Sequence, residues 1–326
     1  MFAGNLLLTM MKLNLLMNSA FSPSSHIPFF DLNGADQPLH FLHANGYPPE
    51  CYKPFLELLQ SQYHVFGMLL RPLWPESNPN DIRDWSLFPQ DLLHFLASTA
   101  STRRESASPL SAKSNTTQVI GVGHSIGAIV TLRAALRDPS KFRALILLDP
   151  VLFVPSRLIW WKFFYTVGLG DRVHPLIKGA KKRRRVFENL ETVFRRYRSR
   201  NIFRYMNDEN LQIYIEGITQ PTGDSTFELI YSPEWEAQIY RTGLQDFDIW
   251  RDLPKLEVPT LFVRGAETDT FLENAATFVK RKQPKAWVET LDKSTHLLPL
   301  ERPREVFDMM QSFLHKTLKV SETFRV

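Results

Sequence analysis

Ser125 lies between two glycines, in Gly123-His124-Ser125-Ile126-Gly127, a placement that suits a nucleophile. The residues ahead of it, Gln118 to Gly121, are mostly apolar and read as the end of a buried strand. Behind it, Ile126 to Arg137 carries apolar residues at helical spacing and stops at Asp138-Pro139. A hydroxyl at the apex of so sharp a strand-to-helix turn is pushed clear of the sheet. A side chain on either flanking glycine would collide with the neighbouring strand or helix. The Ile126 N–H then opens a helix, where it can hold an oxyanion. Without the strand and the helix, the same five residues would be an ordinary turn serine.

A serine hydroxyl is a poor nucleophile at neutral pH. It needs a neutral imidazole to take its proton and an anion to fix that imidazole's tautomer. His174, His296 and His315 follow Ser125 in the chain. His296 sits in Ser294-Thr-His-Leu-Leu-Pro299, a loop between a strand and the last helix. His174 and His315 read as packing or solvated residues. Three carboxylates compete for the acid. Asp269, in Gly265-Ala-Glu-Thr-Asp-Thr270 after the strand Thr260 to Arg264, is the first choice. Glu267 in the same loop and Asp149 at the end of the strand after the Ile126 to Arg137 helix are the alternatives. A second oxyanion donor belongs in the loop His43-Ala-Asn-Gly-Tyr-Pro48, with the Asn45 N–H first and Ala44 next. His43 reads as a brace for that loop and His124 as a packed residue.

The elements that must position these groups are legible as alternating strands and helices. Strands are expected at Pro38 to His43, His64 to Leu70, Ala144 to Asp149, Val258 to Arg264 and Ala286 to Leu291. Helices are expected at Tyr52 to Gln62, Trp85 to Ala97, Phe271 to Lys282 and Pro303 to Leu318. That alternation gives a mostly parallel α/β sheet with helices on both faces. Ser98 to Thr117, rich in Ser and Thr, reads as a long surface loop. From Val151 to about Gln245 the pattern turns helical and aromatic with no convincing buried strand, which suits a helical cap over the sheet's ligand-binding edge. The expected organisation is an N-terminal extension at 1–25, a core at 26–153 and 246–326, and a cap at 154–245.

Composition excludes several classes. Of 326 residues, 44% are hydrophobic and 22% charged, as in a soluble globular protein. Cys51 is the only cysteine, so neither an intrachain disulfide nor a Cys-based metal site can form. There is no metal-ligand spacing and no glycine-rich phosphate loop, so neither metal nor cofactor is expected. Met1 to Ala20 is rich in Leu and Met but is interrupted by Lys12 and Asn14. It makes a poor export signal, so a cytoplasmic protein is expected, with Met11 and Met17 as alternative starts.

Four motifs carry a family resemblance: His43-Ala-Asn-Gly-Tyr-Pro, Gly123-His-Ser-Ile-Gly127, Val258-Pro-Thr-Leu-Phe-Val-Arg-Gly265 with Asp269, and Thr295-His-Leu-Leu-Pro-Leu-Glu-Arg-Pro303. Over residues 38 to 318 the chain resembles the α/β-hydrolase superfamily. The likeness is to capped bacterial members of the esterase, epoxide-hydrolase and haloperoxidase-like type. Two departures stand out. The oxyanion loop reads Ala-Asn-Gly where many members have His-Gly, and the acid loop is one residue longer than the common Gly-x-x-Asp spacing. The resemblance implies an α/β-hydrolase fold and the chain order Ser, acid, His. It implies a cofactor-independent serine hydrolase of carboxylic esters or a related acyl substrate. Ser125 would be the nucleophile, His296 the base, Asp269 the orienting acid, and the N–H groups of Ile126 and Asn45 the oxyanion hole. Thioester, lactone or C–C hydrolysis, peroxidase or acyltransferase chemistry would use the same residues. A ligand-binding protein of this fold without catalysis is the rival from another class.

The expected cap has two conspicuous runs. Leu158-Ile-Trp-Trp-Lys-Phe-Phe-Tyr165 reads mainly as packing, with some aromatics facing a small apolar acyl substrate or a membrane surface. Lys178-Gly-Ala-Lys-Lys-Arg-Arg-Arg185 and Arg195-Arg-Tyr-Arg-Ser-Arg200 read as solvated faces interleaved with Glu188, Glu191, Asp208 and Glu209. No nucleic-acid partner is expected.

Overall fold

The computed structural model describes residues 27–106, 118–223, 225–243 and 245–323. The chain begins β1 (Phe29–Asp31), β2 (Pro38–Leu42), α1 (Lys53–Gln60), β3 (His64–Met68), α2 (Leu87–Ser106), β4 (Val119–His124), α3 (Ile126–Arg137) and β5 (Phe142–Leu148). An insert follows: α4 (Pro155–Thr166), α5 (Gly170–Val173), α6 (Pro175–Lys181), β6 (Val186–Phe187), α7 (Leu190–Arg198), α8 (Asp208–Ile218), β7 (Thr219–Pro221), β8 (Phe227–Leu229) and α9 (Pro233–Thr242). The chain then returns through α10 (Phe247–Asp252), β9 (Thr260–Gly265), α11 (Glu273–Lys282), β10 (Trp287–Leu291), α12 (Leu298–Glu301) and α13 (Pro303–Thr323).

Among the described residues the main sheet has seven strands in the order β1-β3-β2-β4-β5-β9-β10. Every pairing is parallel except the antiparallel edge pair β1 and β3. This is the α/β-hydrolase fold, and β4 lies at the centre of its sheet. Val119–His124 is buried throughout, and β5 is buried at every position but Arg143. Side chains of a parallel strand alternate between two helix-covered faces, which is why Phe142-Arg-Ala-Leu-Ile-Leu-Leu148 is a nearly continuous apolar run. One face packs Leu145 and Leu147 with Ile129 and Leu132 of α3; the other packs Ile146 and Leu148 with Phe55 of α1 and Phe313 of α13.

Three local expectations are corrected. The edge strand β1 has no counterpart among the expected strands; it is three half-buried residues with no period of their own. The expected loop from Ser98 is helical to Ser106, because Ser98 and Thr99 donate their hydroxyls back to Phe95 O at 2.9 Å and so fit a helix. Its remainder, residues 107–117, lies outside the described residues, as does the extension expected at 1–25. The insert is not purely helical. β6, β8 and β7 form a three-stranded antiparallel sheet of two to three residues per strand, too short to leave a periodic signal.

The helix behind Ser125 is tied to the point where the chain leaves the insert. Arg133 of α3 donates to both carboxylate oxygens of Asp248, at 3.0 and 2.8 Å, and lies 3.0 Å from Asp246 Oδ1. Asp246 is fully buried, and burial pushes its carboxyl up from 3.8 to about 6. A raised carboxyl favours the folded state while it is protonated, and that contribution is lost as pH climbs from 3.8 through about 6. A shift of that size corresponds to roughly 3 kcal/mol, with the lowering effect of Arg133 already counted in it. Thermal melts should therefore show the wild type losing stability relative to Asp246→Asn between about pH 4 and 7. Parallel curves for the two proteins would refute an ionisable, strained Asp246.

Candidate active site

Ser125 leaves β4 at φ 59° and ψ −120°, a backbone conformation that L-residues rarely adopt. Neighbours on every side hold it there. Its N–H donates to Leu148 O of β5 at 3.0 Å. A Cβ at Gly123 would sit 2.4 Å from Gly127 O, and one at Gly127 would sit 2.2 Å from Leu42 O and 2.7 Å from His43 O. Both glycines are thus required by close backbone approach. The second contact also sets the first turn of α3 against the loop that follows β2.

Ser125 Oγ lies 3.0 Å from His296 Nε2, and His296 Nδ1 lies 2.7 Å from Asp149 Oδ2. Asp149 follows β5 directly, with a positive φ of 39°, and its N–H donates to Val263 O of β9 at 2.7 Å. Its carboxylate is fully buried and accepts throughout. Gly265 N–H reaches Oδ1 at 2.9 Å, while the Thr268 and Thr270 hydroxyls each reach Oδ2 at 2.5 Å. The Thr270 hydroxyl, its proton given to Asp149, can accept from His296 Nδ1 at 2.8 Å. With Nδ1 facing two acceptors, the proton belongs there and Nε2 presents its lone pair to Ser125.

The preferred acid of the sequence reading is therefore displaced. Asp269 is exposed, and the structure sets no hydrogen bond between it and His296. The physical reason is the path of its loop. The chain turns tightly after β9, with Glu267 N–H on Ser294 O and Thr268 N–H on Gly265 O. Thr268 and Thr270 then face inward while Ala266, Glu267 and Asp269 face out. Glu267, the other alternative in that loop, is exposed and bonded to Arg204 and Tyr205 of the insert. Gly265 lets this loop lie against the histidine loop, since a Cβ there would meet Thr295 O at 2.3 Å. The two threonines escaped the sequence reading. Their signal is the Thr-x-Thr spacing around the exposed Asp269.

The loop carrying His296 is held from below. Thr295 donates its N–H and its hydroxyl to Glu301, each at 2.7 Å. The His296 carbonyl accepts from His124 Nε2 at 2.8 Å, so His124 Nδ1 must accept from the Tyr52 hydroxyl, at 2.7 Å. Tyr52 in turn accepts the Ala44 N–H at 3.2 Å. Burial, with His296 nearby, drives His124 well below the usual imidazole range, so this chain stays neutral and keeps one orientation. It also engages the Ala44 N–H, so of the two expected donors in that loop Tyr52 takes Ala44 and not Asn45; Ile126 opens the first turn of α3. His43 braces the loop as expected from its position. It lies 2.9 Å from Ala44 O through Nδ1 and takes the Leu70 N–H on Nε2 at 3.0 Å, and burial lowers it to about 4. His174 is buried against Trp161 and Tyr240, and His315 is exposed on α13.

The basic run of the insert divides. Arg184 and Arg185 are exposed, and Lys181 pairs with Asp171 near the surface. Arg183 turns inward instead, which corrects the reading of the whole run as a solvated face. Its Nη1 donates to Glu236 Oε2 at 2.9 Å, and Nε and Nη2 donate to the Tyr197 hydroxyl at 3.1 and 2.6 Å. Glu236 O accepts Asn45 Nδ2 at 3.4 Å, and Gly46 lies beside the same pair. The insert thus touches the loop that carries the Asn45 N–H. The aromatic run also divides: Leu158 packs into the core, whereas Ile159, Trp160 and Phe163 point outward.

Residues 41–309 match the family model described as the alpha/beta hydrolase family. No curated protein sequence matches the chain. Among solved structures, the fold is similar to E-2-(acetamidomethylene)succinate hydrolase, at 18% identity and a TM-score of 0.66, covering 88% of this chain and 94% of that one. An esterase from Mycobacterium tuberculosis is similar at 15% identity and a TM-score of 0.63, covering 96% and 97%. A peroxisomal alpha-beta-hydrolase from Saccharomyces cerevisiae is similar at 16% identity and a TM-score of 0.62, covering 87% and 77%.

Proposed function

The chain belongs to the alpha/beta hydrolase family, and within it we propose a serine hydrolase that cleaves carboxylic esters or a related acyl substrate. One observation carries the reading: the hydroxyl of Ser125, whose backbone is strained, lies 3.0 Å from an imidazole whose far nitrogen meets a buried carboxylate at 2.7 Å. A binding protein has no need of that alignment. Ser125 Oγ attacks the carbonyl carbon as His296 Nε2 takes its proton. The N–H groups of Ile126 and Asn45 receive the oxyanion. The tetrahedral intermediate collapses, the bond to the leaving oxygen breaks, and His296 returns the proton to that oxygen. Water, deprotonated by the same nitrogen, then releases the acid from the acyl-enzyme. Asp149 holds the imidazole in register through both halves.

A fluorophosphonate probe tests this reading directly. Labelling of the folded protein at Ser125, abolished in Ser125→Ala, is the expected result. A folded wild type that resists the probe would sink it. For the acyl group, each accommodated methylene adds up to ~0.8 kcal/mol of binding. On p-nitrophenyl esters kcat/KM should rise from acetate toward medium chains and then fall. A steady decline from acetate onward would speak against an apolar acyl pocket.

A further inference from the structure

Helix α4 is apolar on two opposite faces, and only one of them is used by the fold. Leu158 is fully buried and Trp161 packs on His174, which fixes the inner face. Ile159, Trp160 and Phe163, grouped on the other side by their helical spacing, and Val167 just past the helix end are 60%, 65%, 53% and 48% exposed. A helix apolar all round is normally enclosed on all sides. Leu169 and Leu176 continue the exposure into α5 and α6. Six of the nine large hydrophobics that stand exposed among the described residues thus fall within 159–176, so the exposure is local rather than general. The charge of the same stretch is one-sided. Between 157 and 182 the cations are Arg157, Lys162, Arg172, Lys178, Lys181 and Lys182, and the only carboxylate is Asp171, already shared by Arg241 and Lys181.

We propose that the outer face of α4, with the cations around it, docks on an anionic lipid surface. Aromatic rings flanked by Lys and Arg are what the headgroup boundary of a bilayer accepts, and no spanning segment is needed. Among the described residues no helix is long and apolar enough to cross a membrane. A second copy of this chain fits the face less well, because self-pairing would bring two sets of these cations together. The insert that borders the oxyanion loop would then be the part of the molecule lying against the lipid, a placement suited to acyl groups drawn from it.

Co-sedimentation of the full chain with vesicles tests this, using phosphatidylcholine alone and phosphatidylcholine mixed with phosphatidylserine. Binding should favour the mixed vesicles, weaken with added salt, and fall about tenfold or more in W160S/F163S. A second variant, K162E/K178E, should lose the preference for phosphatidylserine. Ser125→Ala should bind as the wild type does, so the result is independent of the catalytic reading. W160S/F163S should still hydrolyse a soluble short ester at the wild-type rate. Three outcomes overturn the proposal: no binding to mixed vesicles, equal binding by W160S/F163S, or a solution dimer that this variant dissociates.

Discussion

Replacing Asp149 by Asn is expected to lower kcat by on the order of 10³–10⁴-fold while the protein stays folded, the size of effect seen when the orienting anion of a triad is neutralised. The amide keeps one acceptor oxygen: with it on Gly265 N–H, its NH2 stands where Thr268, Thr270 and His296 Nδ1 all need an acceptor. The imidazole then loses the tautomer that leaves Nε2 free for Ser125. Asp269→Asn, a change on the exposed side of the neighbouring loop, should leave kcat within about twofold. Steady-state kinetics on one soluble ester, with circular dichroism to check folding, compares the two. The assignment fails if Asp269→Asn is the damaging change and Asp149→Asn the silent one. Thr270→Val should fall between them, because it strips one donor from Asp149 and one acceptor from His296 Nδ1 without touching the charge.

Asp149 shows where sequence reasoning reaches and where it stops. The elbow at Ser125 is written in local terms: apolar strand, two glycines, apolar helix. So is the loop position of His296 between a strand and the final helices. The acid is not local. Asp149 and the loop at 265–270 lie at the ends of adjacent strands, β5 and β9, and both can reach the same imidazole. The choice depends on which side of a tight turn each side chain takes, and that follows from backbone hydrogen bonds to Ser294 and Gly265 that no composition or period encodes. The insert shows the same limit. Its helices carry period and N-terminal Asn or Ser caps, at Asn189, Asn207 and Ser232, but β6 to β8 are too short to carry any. In the basic run from Lys181 to Arg185 nothing in sequence marks Arg183 as the one turned inward. Its partners Tyr197 and Glu236 lie 14 and 53 residues further on.

That inward turn makes Arg183 the residue of the run with the largest expected effect. Its guanidinium is mostly buried, paired with a Glu236 carboxylate that is buried too, and the Glu236 backbone meets the Asn45 side chain. Arg183→Gln leaves Glu236 charged without its partner, a loss of about 3 kcal/mol or more when a buried pair is broken from one side. The disturbance falls on the insert and on the oxyanion loop beneath it. Misplacing the Asn45 N–H should lower kcat by on the order of 10²-fold, as loss of one oxyanion donor does. Adding Glu236→Gln removes the stranded charge while keeping its shape. The double variant should regain most of the stability and a good part of kcat, a coupling that a double-mutant cycle reads as a departure from additivity. Charge reversal at Lys181, Lys182, Arg184 or Arg185, all exposed, should leave turnover of a soluble ester within about twofold. If Arg183→Gln is as silent as those four, the ion pair does not support the oxyanion loop. If the double variant is no better than the single one, the defect lies in lost packing against Tyr197 rather than in the unpaired carboxylate.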